Sequence, residues 1–280
     1  MTTKPPRLTL DELRLAAATS GRSLLLVEGG RDRDFFEWLF DDMLDRVNIY
    51  TADDVEISPE EVRSRNLTMG ARSQLICLSA IAPQEDDFRL VIDRDCGHDI
   101  PEPPPSTLCL TDYPAIESYA FTLKALHKWL KFIACEAKIT SEVLLAELRP
   151  PLLQLYFLRL GRPNLPEPNY GKCYKASGSG GWALDLAKIA SDYRLSRDEV
   201  AQIEALARGV AGDARPHVYG HDIAALLEIR LKAVVRNKAQ LRSTEAVERT
   251  LRMSMERSDL LPEPLFAALQ GWISRSSVSI

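Results

Sequence analysis

The sequence predicts an α/β fold, a parallel sheet flanked by helices, followed by a mainly helical C-terminal region. Three observations predict it. Ser23-Leu-Leu-Leu-Val27 and Phe88-Arg-Leu-Val-Ile92 are apolar runs of strand length, each ending in carboxylates: Glu28 after the first, Asp93-Arg94-Asp95 after the second. Between them, Phe35, Phe36, Leu39, Phe40 and Met43 recur at helical spacing, as in a helix that covers a sheet. Beyond about residue 125 the chain turns Leu- and Ala-rich, so the expected domains are 1–125 and 126–280.

Each element has its own signal. Thr9 and Glu12 have capping-box spacing and open a helix to about Thr19, which Gly21 stops. Strand one is Ser23 to Val27, and the sheet-covering helix follows from Asp32 to Leu44. Val47 to Ile57 alternates loosely and contains strand two. Ala71 to Ala80 is the next helix, with Leu75, Ile76 and Leu78 toward the sheet. Strand three is Phe88 to Ile92, followed by a turn through Gly97. Pro101-Glu-Pro-Pro-Pro105 is expected as a stiff surface loop, because proline lacks the donor that a helix or central strand needs. Thr107 to Leu110 is a short fourth strand, and a helix begins at Ile116. In the second half, breaks are expected at Pro150-Pro151 and at 162–168. Lys175-Ala-Ser-Gly-Ser-Gly-Gly181 lacks the Gly-Lys-Ser/Thr ending of a Walker A loop and is expected as a plain loop.

Composition narrows the function classes. The 280 residues are 45% hydrophobic, enough for an ordinary core, and none of the apolar stretches approaches a membrane span. The opening Met1-Thr-Thr-Lys-Pro-Pro lacks the apolar core of a signal peptide, so a cytoplasmic protein without a membrane association is expected. Five widely spaced cysteines without a CxxC pair argue against a disulfide framework or structural zinc, and Cys96 is expected as a small filler. A net charge of −5 does not fit a protein that grips long nucleic acid by bulk charge. Local patches remain, chiefly Arg230, Lys232, Arg236, Lys238 and Arg242, which crowd one expected helix. They form either a solvated face or a phosphate-tracking one.

The strand-terminal carboxylates are the candidate chemistry. Two parallel strands side by side would deliver Glu28, Asp93 and Asp95 to the C-terminal edge of the sheet, where ligands of open α/β sheets bind. In extended chain, residues i and i+2 share a side, so Asp93 and Asp95 can share a cation while Arg94 points elsewhere. Hard oxygen ligands suit Mg²⁺, with Mn²⁺ as the alternative. Acidic residues after strands also serve as caps and turn formers, so each residue alone has a bland reading. His98 is expected as a loop residue, since hard cations prefer oxygen.

Val27-Glu28-Gly29 and Ile92-Asp93-Arg94-Asp95 resemble the TOPRIM pattern, a strand ending in Glu-Gly and a later strand ending in Asp-x-Asp. Gly29-Gly30-Arg31-Asp32-Arg33-Asp34-Phe35-Phe36 is similar to the opening of stand-alone TOPRIM nucleases of the OLD-like group, which includes the effectors of PARIS anti-phage systems. Ala115-Ile116-Glu117-Ser118-Tyr119 resembles a downstream element of that group, and Gly220-His221-Asp222 its C-terminal element. The four elements span residues 28 to 222 in order.

The resemblance implies a TOPRIM, Rossmann-like sheet and a Mg²⁺-dependent nuclease. Asp93 and Asp95 would be ligands, and Glu28 would either complete the metal shell or act as general acid/base. Glu117 would extend the cluster to a second metal, or stand as a helix-start carboxylate favoured by the dipole. His221 would take the place of a transition-state lysine, or be a helix-start residue bonded to Asp222. Arg94 would meet substrate phosphate or balance the acidic cluster, and Lys232 and Arg236 would line a substrate groove. The resemblance further implies anti-phage defence, an ABC-type ATPase partner, an active homodimer, and RNA such as tRNA as target. DNA nicking in the OLD manner and a non-catalytic binding scaffold are the alternatives.

Overall fold

The computed structural model describes residues 7–82, 87–97, 100–136, 138–163, 165–176, 182–232, 241 and 243–275. The chain forms two compact units. One comprises Met1–Asp93, Asp99–Asp112 and Arg257–Ile280; the other comprises Arg94–His98 and Tyr113–Glu256. This grouping interleaves the chain, in contrast to a single cut after residue 125.

The first unit is an α/β layer structure. Helix α1 (Leu10–Ser20) starts on the expected capping box, with Thr9 and Glu12 bonded reciprocally, and ends at Gly21, whose φ of 63° needs no Cβ. Strand β1 (Ser23–Val27) is buried along its whole length, the mark of a central strand covered on both faces. Helix α2 (Gly30–Leu39) follows, then a 3₁₀ turn at Asp41–Met43, so the expected helix from 32 to 44 is divided in two. Strand β2 (Val47–Thr51), helices α3 (Pro59–Ser64) and α4 (Ala71–Ile81), and strands β3 (Phe88–Ile92) and β4 (Leu108–Leu110) complete the layer.

The sheet order is β2-β1-β3-β4, all parallel, with Leu24, Leu25 and Leu26 of β1 opposite Phe88, Arg89 and Leu90 of β3. Alternation along β1 separates the two faces. Leu24 and Leu26 join Leu13, Leu75, Ile76, Leu90 and Ile92 in one buried cluster. Helix α2 packs against β1 and β2, and its Phe35 and Phe36 meet Phe266 of the C-terminal helix Pro264–Arg275. Arg89 lies over Trp272 of the same helix, so the end of the chain covers a sheet whose strands all come from its beginning.

The second unit is mainly helical. Its elements are a 3₁₀ turn at Ile116–Ala120, α5 (Leu123–Lys128) continued by a π-helical turn at Trp129–Ala134, α6 (Ser141–Gly161), α7 (Tyr170–Cys173), the hairpin β5 (Tyr174–Ala176) and β6 (Trp182–Leu184), α8 (Leu186–Tyr193), α9 (Arg197–Gly209), a 3₁₀ turn at Arg215–His217, α10 (Gly220–Arg230) and α11 (Thr244–Ser254). The expected break at Pro150-Pro151 does not occur, because α6 runs through both prolines. Their missing N–H groups leave the carbonyls of Ala146 and Glu147 without helical donors, a cost that burial of Leu144, Leu148, Leu152, Leu155 and Leu158 offsets. All five cysteines are free. Among the described residues, no helix is long and apolar enough to cross a membrane.

Candidate functional site

The sheet order locates a crevice. From β1 the chain moves out to β2 on one side, and later returns to β3 on the other. The strand order therefore reverses between β1 and β3, the position at which open α/β sheets bind ligands beyond the C-terminal strand ends. Glu28 directly follows β1 and Asp93 directly follows β3. The two are joined: the Asp93 backbone N–H donates to Glu28 Oε1 at 2.9 Å. This fixes one carboxylate oxygen of Glu28 across the strand ends, while its side chain stays a quarter exposed.

Arg72, in the first turn of α4, was not foreseen from the sequence. Its guanidinium donates to the Asp93 carbonyl and stands 3.9 Å from Glu28 Oε1. A single arginine thus braces the β3 end and places a positive charge beside the acidic edge. Nothing about an isolated arginine at a helix start distinguishes it from a solvated one; only the strand pairing brings it to the carboxylate.

The residues after Glu28 have structural duties. The side chain of Asp32 accepts from the Gly29 N–H at 3.1 Å, satisfying one of the free donors at the start of α2. Phe35 and Phe36 are core residues, 4% and 1% exposed. A Cβ on Gly30 would meet nothing within 4 Å, so Gly30 answers to no steric demand.

Asp95 and Arg94 belong to the second unit, as do Glu117 and His221. Asp95 has φ 49°, a left-handed conformation that aspartate tolerates, and its N–H donates to Pro114 O at 2.9 Å. The backbone at Asp95 is therefore not extended. Arg94 is exposed.

Glu117 is nearly buried and accepts from Arg252 Nε at 2.6 Å. Its carboxylate is thereby engaged within the second unit. Gly220 explains the neighbouring motif: a Cβ there would fall 2.6 Å from Glu117 Oε2. His221 bridges two carboxylates, with Nδ1 2.5 Å from Glu248 Oε1 and Nε2 3.1 Å from Glu167 Oε1. The hydrogen bond to Glu248 raises the His221 pKa, against the opposing effect of burial. Asp222 is fully buried and receives Arg159 through two nitrogens at 2.6 and 3.1 Å, together with the Tyr170 hydroxyl. Burial and the neighbouring Asp222 push the Tyr170 pKa upward, so it remains a neutral donor. Of the two readings of His221, the one that bonds it to Asp222 gives way to these separate partners.

Arg230 ends α10 paired with Glu147 at 2.7 Å, and Lys232 is exposed two residues on. Arg236, Lys238 and Arg242 lie outside the described residues, as do His98 and residues 177–181 of the glycine-rich stretch. A pocket of about 290 Å³ between α6 and α9, bordered by Phe157, Leu160, Arg162, Glu199 and Leu206, contains none of the expected site residues.

Among the described residues, no group of three or more His, Cys, Asp or Glu side chains is placed to hold a metal ion. Two carboxylate residues at the crevice of a parallel sheet nevertheless have the donor chemistry of a hard cation site. Comparison of the chain with protein-family models and with curated proteins gives no match.

Proposed function

We propose that this protein is a metal-dependent phosphodiesterase of the TOPRIM type, acting on nucleic acid with Mg²⁺, or with Mn²⁺ in its place. The observation that carries the reading is the pairing of Glu28 with Asp93 at the ends of neighbouring strands β1 and β3, where the strand order reverses. Glu28 and Asp93 would hold the ion through oxygen. When bound, such an ion supplies charge neutralisation at the transferring phosphoryl group and activates a water.

The chain's own residues do the positioning. The Asp93 amide holds Glu28 Oε1 at the strand edge. A carboxylate so held can accept a proton from an attacking water. Arg72 ties down the Asp93 carbonyl and screens the acidic edge in the absence of a cation.

From the resemblance we further propose a cytoplasmic effector of anti-phage defence, held by an ABC-type ATPase partner and active as a homodimer, with RNA such as tRNA as target. DNA cleavage in the OLD manner is the runner-up. A non-catalytic scaffold is favoured by one observation, that Arg72 already gives Glu28 a protein cation. The test is cleavage of labelled tRNA, single-stranded RNA and plasmid DNA by the purified chain, alone and with the ATPase partner, in Mg²⁺, Mn²⁺ or EDTA. Divalent-dependent cleavage abolished by Asp93→Asn supports the nuclease. The absence of cleavage together with carboxylate-independent Mg²⁺ binding would leave the scaffold.

A further inference from the structure

Within the second unit, rings of helix α6 meet the 3₁₀ turn at Arg215–His217. The ring of His217 stacks on Phe157 at a centroid distance of 5.6 Å and 29° between planes, and meets Tyr156 edge-on at 5.3 Å. Two residues earlier, Arg215 lies over Tyr113 at 4.5 Å and is paired with Asp213 at 2.8 Å. Tyr156, Phe157 and His217 are only half-buried, so parts of their rings face solvent. Arg94 is exposed, and its charge is felt at the Tyr156 hydroxyl.

The electrostatics suit a neutral stacking surface. Burial lowers the His217 pKa, and Nδ1 is buried with no hydrogen-bond partner among the described residues, so the imidazole stays neutral. Burial likewise raises the Tyr156 pKa, which keeps the phenol uncharged. The three rings are adjacent, differently tilted and partly open.

We propose that Tyr156, Phe157 and His217 form a stacking platform for an unpaired nucleobase, with Arg94 meeting the adjoining phosphate. The proposal deepens the nuclease reading and rests on it for biological meaning, since it assigns single-stranded nucleic acid as the substrate class. The physical basis is general: every base has a π-face, so base–aromatic stacking binds single strands with little sequence preference, and guanidinium groups add charge and cation–π attraction. A duplex, whose bases are already stacked, cannot use such a platform.

The test measures binding separately from cleavage. Fluorescence anisotropy of a labelled 12-mer, single-stranded RNA or DNA, is recorded with the full-length chain in EDTA, and the same strand carrying 2-aminopurine reports stacking by quenching. Wild type should bind the single strand, quench the probe, and bind the matching duplex at least tenfold more weakly. Tyr156→Ala and His217→Ala should each weaken binding about tenfold, the scale of one lost base stack. His217→Phe, which keeps a ring, should retain both binding and quenching, excluding general misfolding as the cause. Arg94→Glu should weaken binding and leave residual quenching. Absence of single-strand binding by wild type overturns the platform, as does unchanged affinity in both alanine variants. Cleavage by Glu28→Gln, assayed separately in Mg²⁺, tests the nuclease reading itself: a platform that binds while wild type fails to cleave refutes the nuclease and not the platform.

Discussion

A Cβ built on Gly220 would sit 2.6 Å from Glu117 Oε2, 2.9 Å from Glu117 Cβ and 3.0 Å from Ala115 Cβ. Glu117 cannot swing aside, because it is nearly buried and bonded to Arg252. Two motif elements a hundred residues apart in the chain, one carrying Glu117 and the other Gly220, are thus fitted to each other by the absence of one carbon.

Gly220→Ala should therefore destabilise the protein by about 1–3 kcal/mol, the usual cost of overpacking. Helix propensity alone, which favours alanine over glycine by about 1 kcal/mol, points the other way. Urea unfolding decides the sign. In a Glu117→Ala background the cost should shrink, and a double-mutant cycle measures by how much.

Asp222→Ala should be more severe. It would leave the Arg159 guanidinium without its bidentate partner in a mostly buried position. Breaking a buried pair in this way costs about 3–5 kcal/mol. Tyr170→Phe removes a neutral donor to the same carboxylate and should cost about 1 kcal/mol. Chemical denaturation monitored by circular dichroism should rank Asp222→Ala well below Tyr170→Phe.

His221 should make stability depend on pH. Its folded pKa is raised, first by the hydrogen bond to Glu248 and then by the charges of Glu167, Glu248 and Asp222, against desolvation. The stabilisation is therefore fully present below the unfolded value of about 6.5 and is lost as pH rises through the folded value. Unfolding of wild type and Glu248→Gln, measured between pH 5.5 and about 9, should show wild type losing its advantage toward the alkaline end. A constant difference across that range would contradict the charged bridge.

The strands were the most legible elements. Both apolar runs end where β1 and β3 end, because a strand covered on both faces must be apolar without interruption, and carboxylates cannot enter that layer. The capping box at Thr9 and the stop at Gly21 were equally readable, since both act within four residues. Arg72, Arg159 and Arg252 were not. Each meets its partner across a long stretch of chain, Arg252 at 135 residues from Glu117, and a buried arginine looks like a surface one until its partner is placed. The return of Phe266 to Phe35 was hidden for the same reason. The left-handed backbone of Asp95 was not legible either, since aspartate gives no advance sign of it.

Arg72→Ala should tighten divalent-ion binding. The arginine screens Glu28 at 3.9 Å, so its removal leaves the acidic edge more negative. The same substitution removes a donor from the Asp93 carbonyl and should lower stability by about 1–2 kcal/mol. Calorimetric titration with Mg²⁺ or Mn²⁺ should show higher affinity than wild type. Unchanged affinity would mean that no cation competes for that edge.

The central claim is that the Glu28–Asp93 pairing is a metal-dependent cleavage site, and the single-turnover rate of nucleic-acid cleavage by Glu28→Gln in Mg²⁺ tests it most directly. Glutamine keeps an oxygen for the Asp93 amide, so the strand ends should stay joined and the unfolding midpoint close to wild type. The account predicts a rate at least about a hundredfold below wild type, the lower range for loss of a general acid/base, with substrate affinity in EDTA unchanged. Wild-type cleavage by a folded Glu28→Gln variant would contradict it.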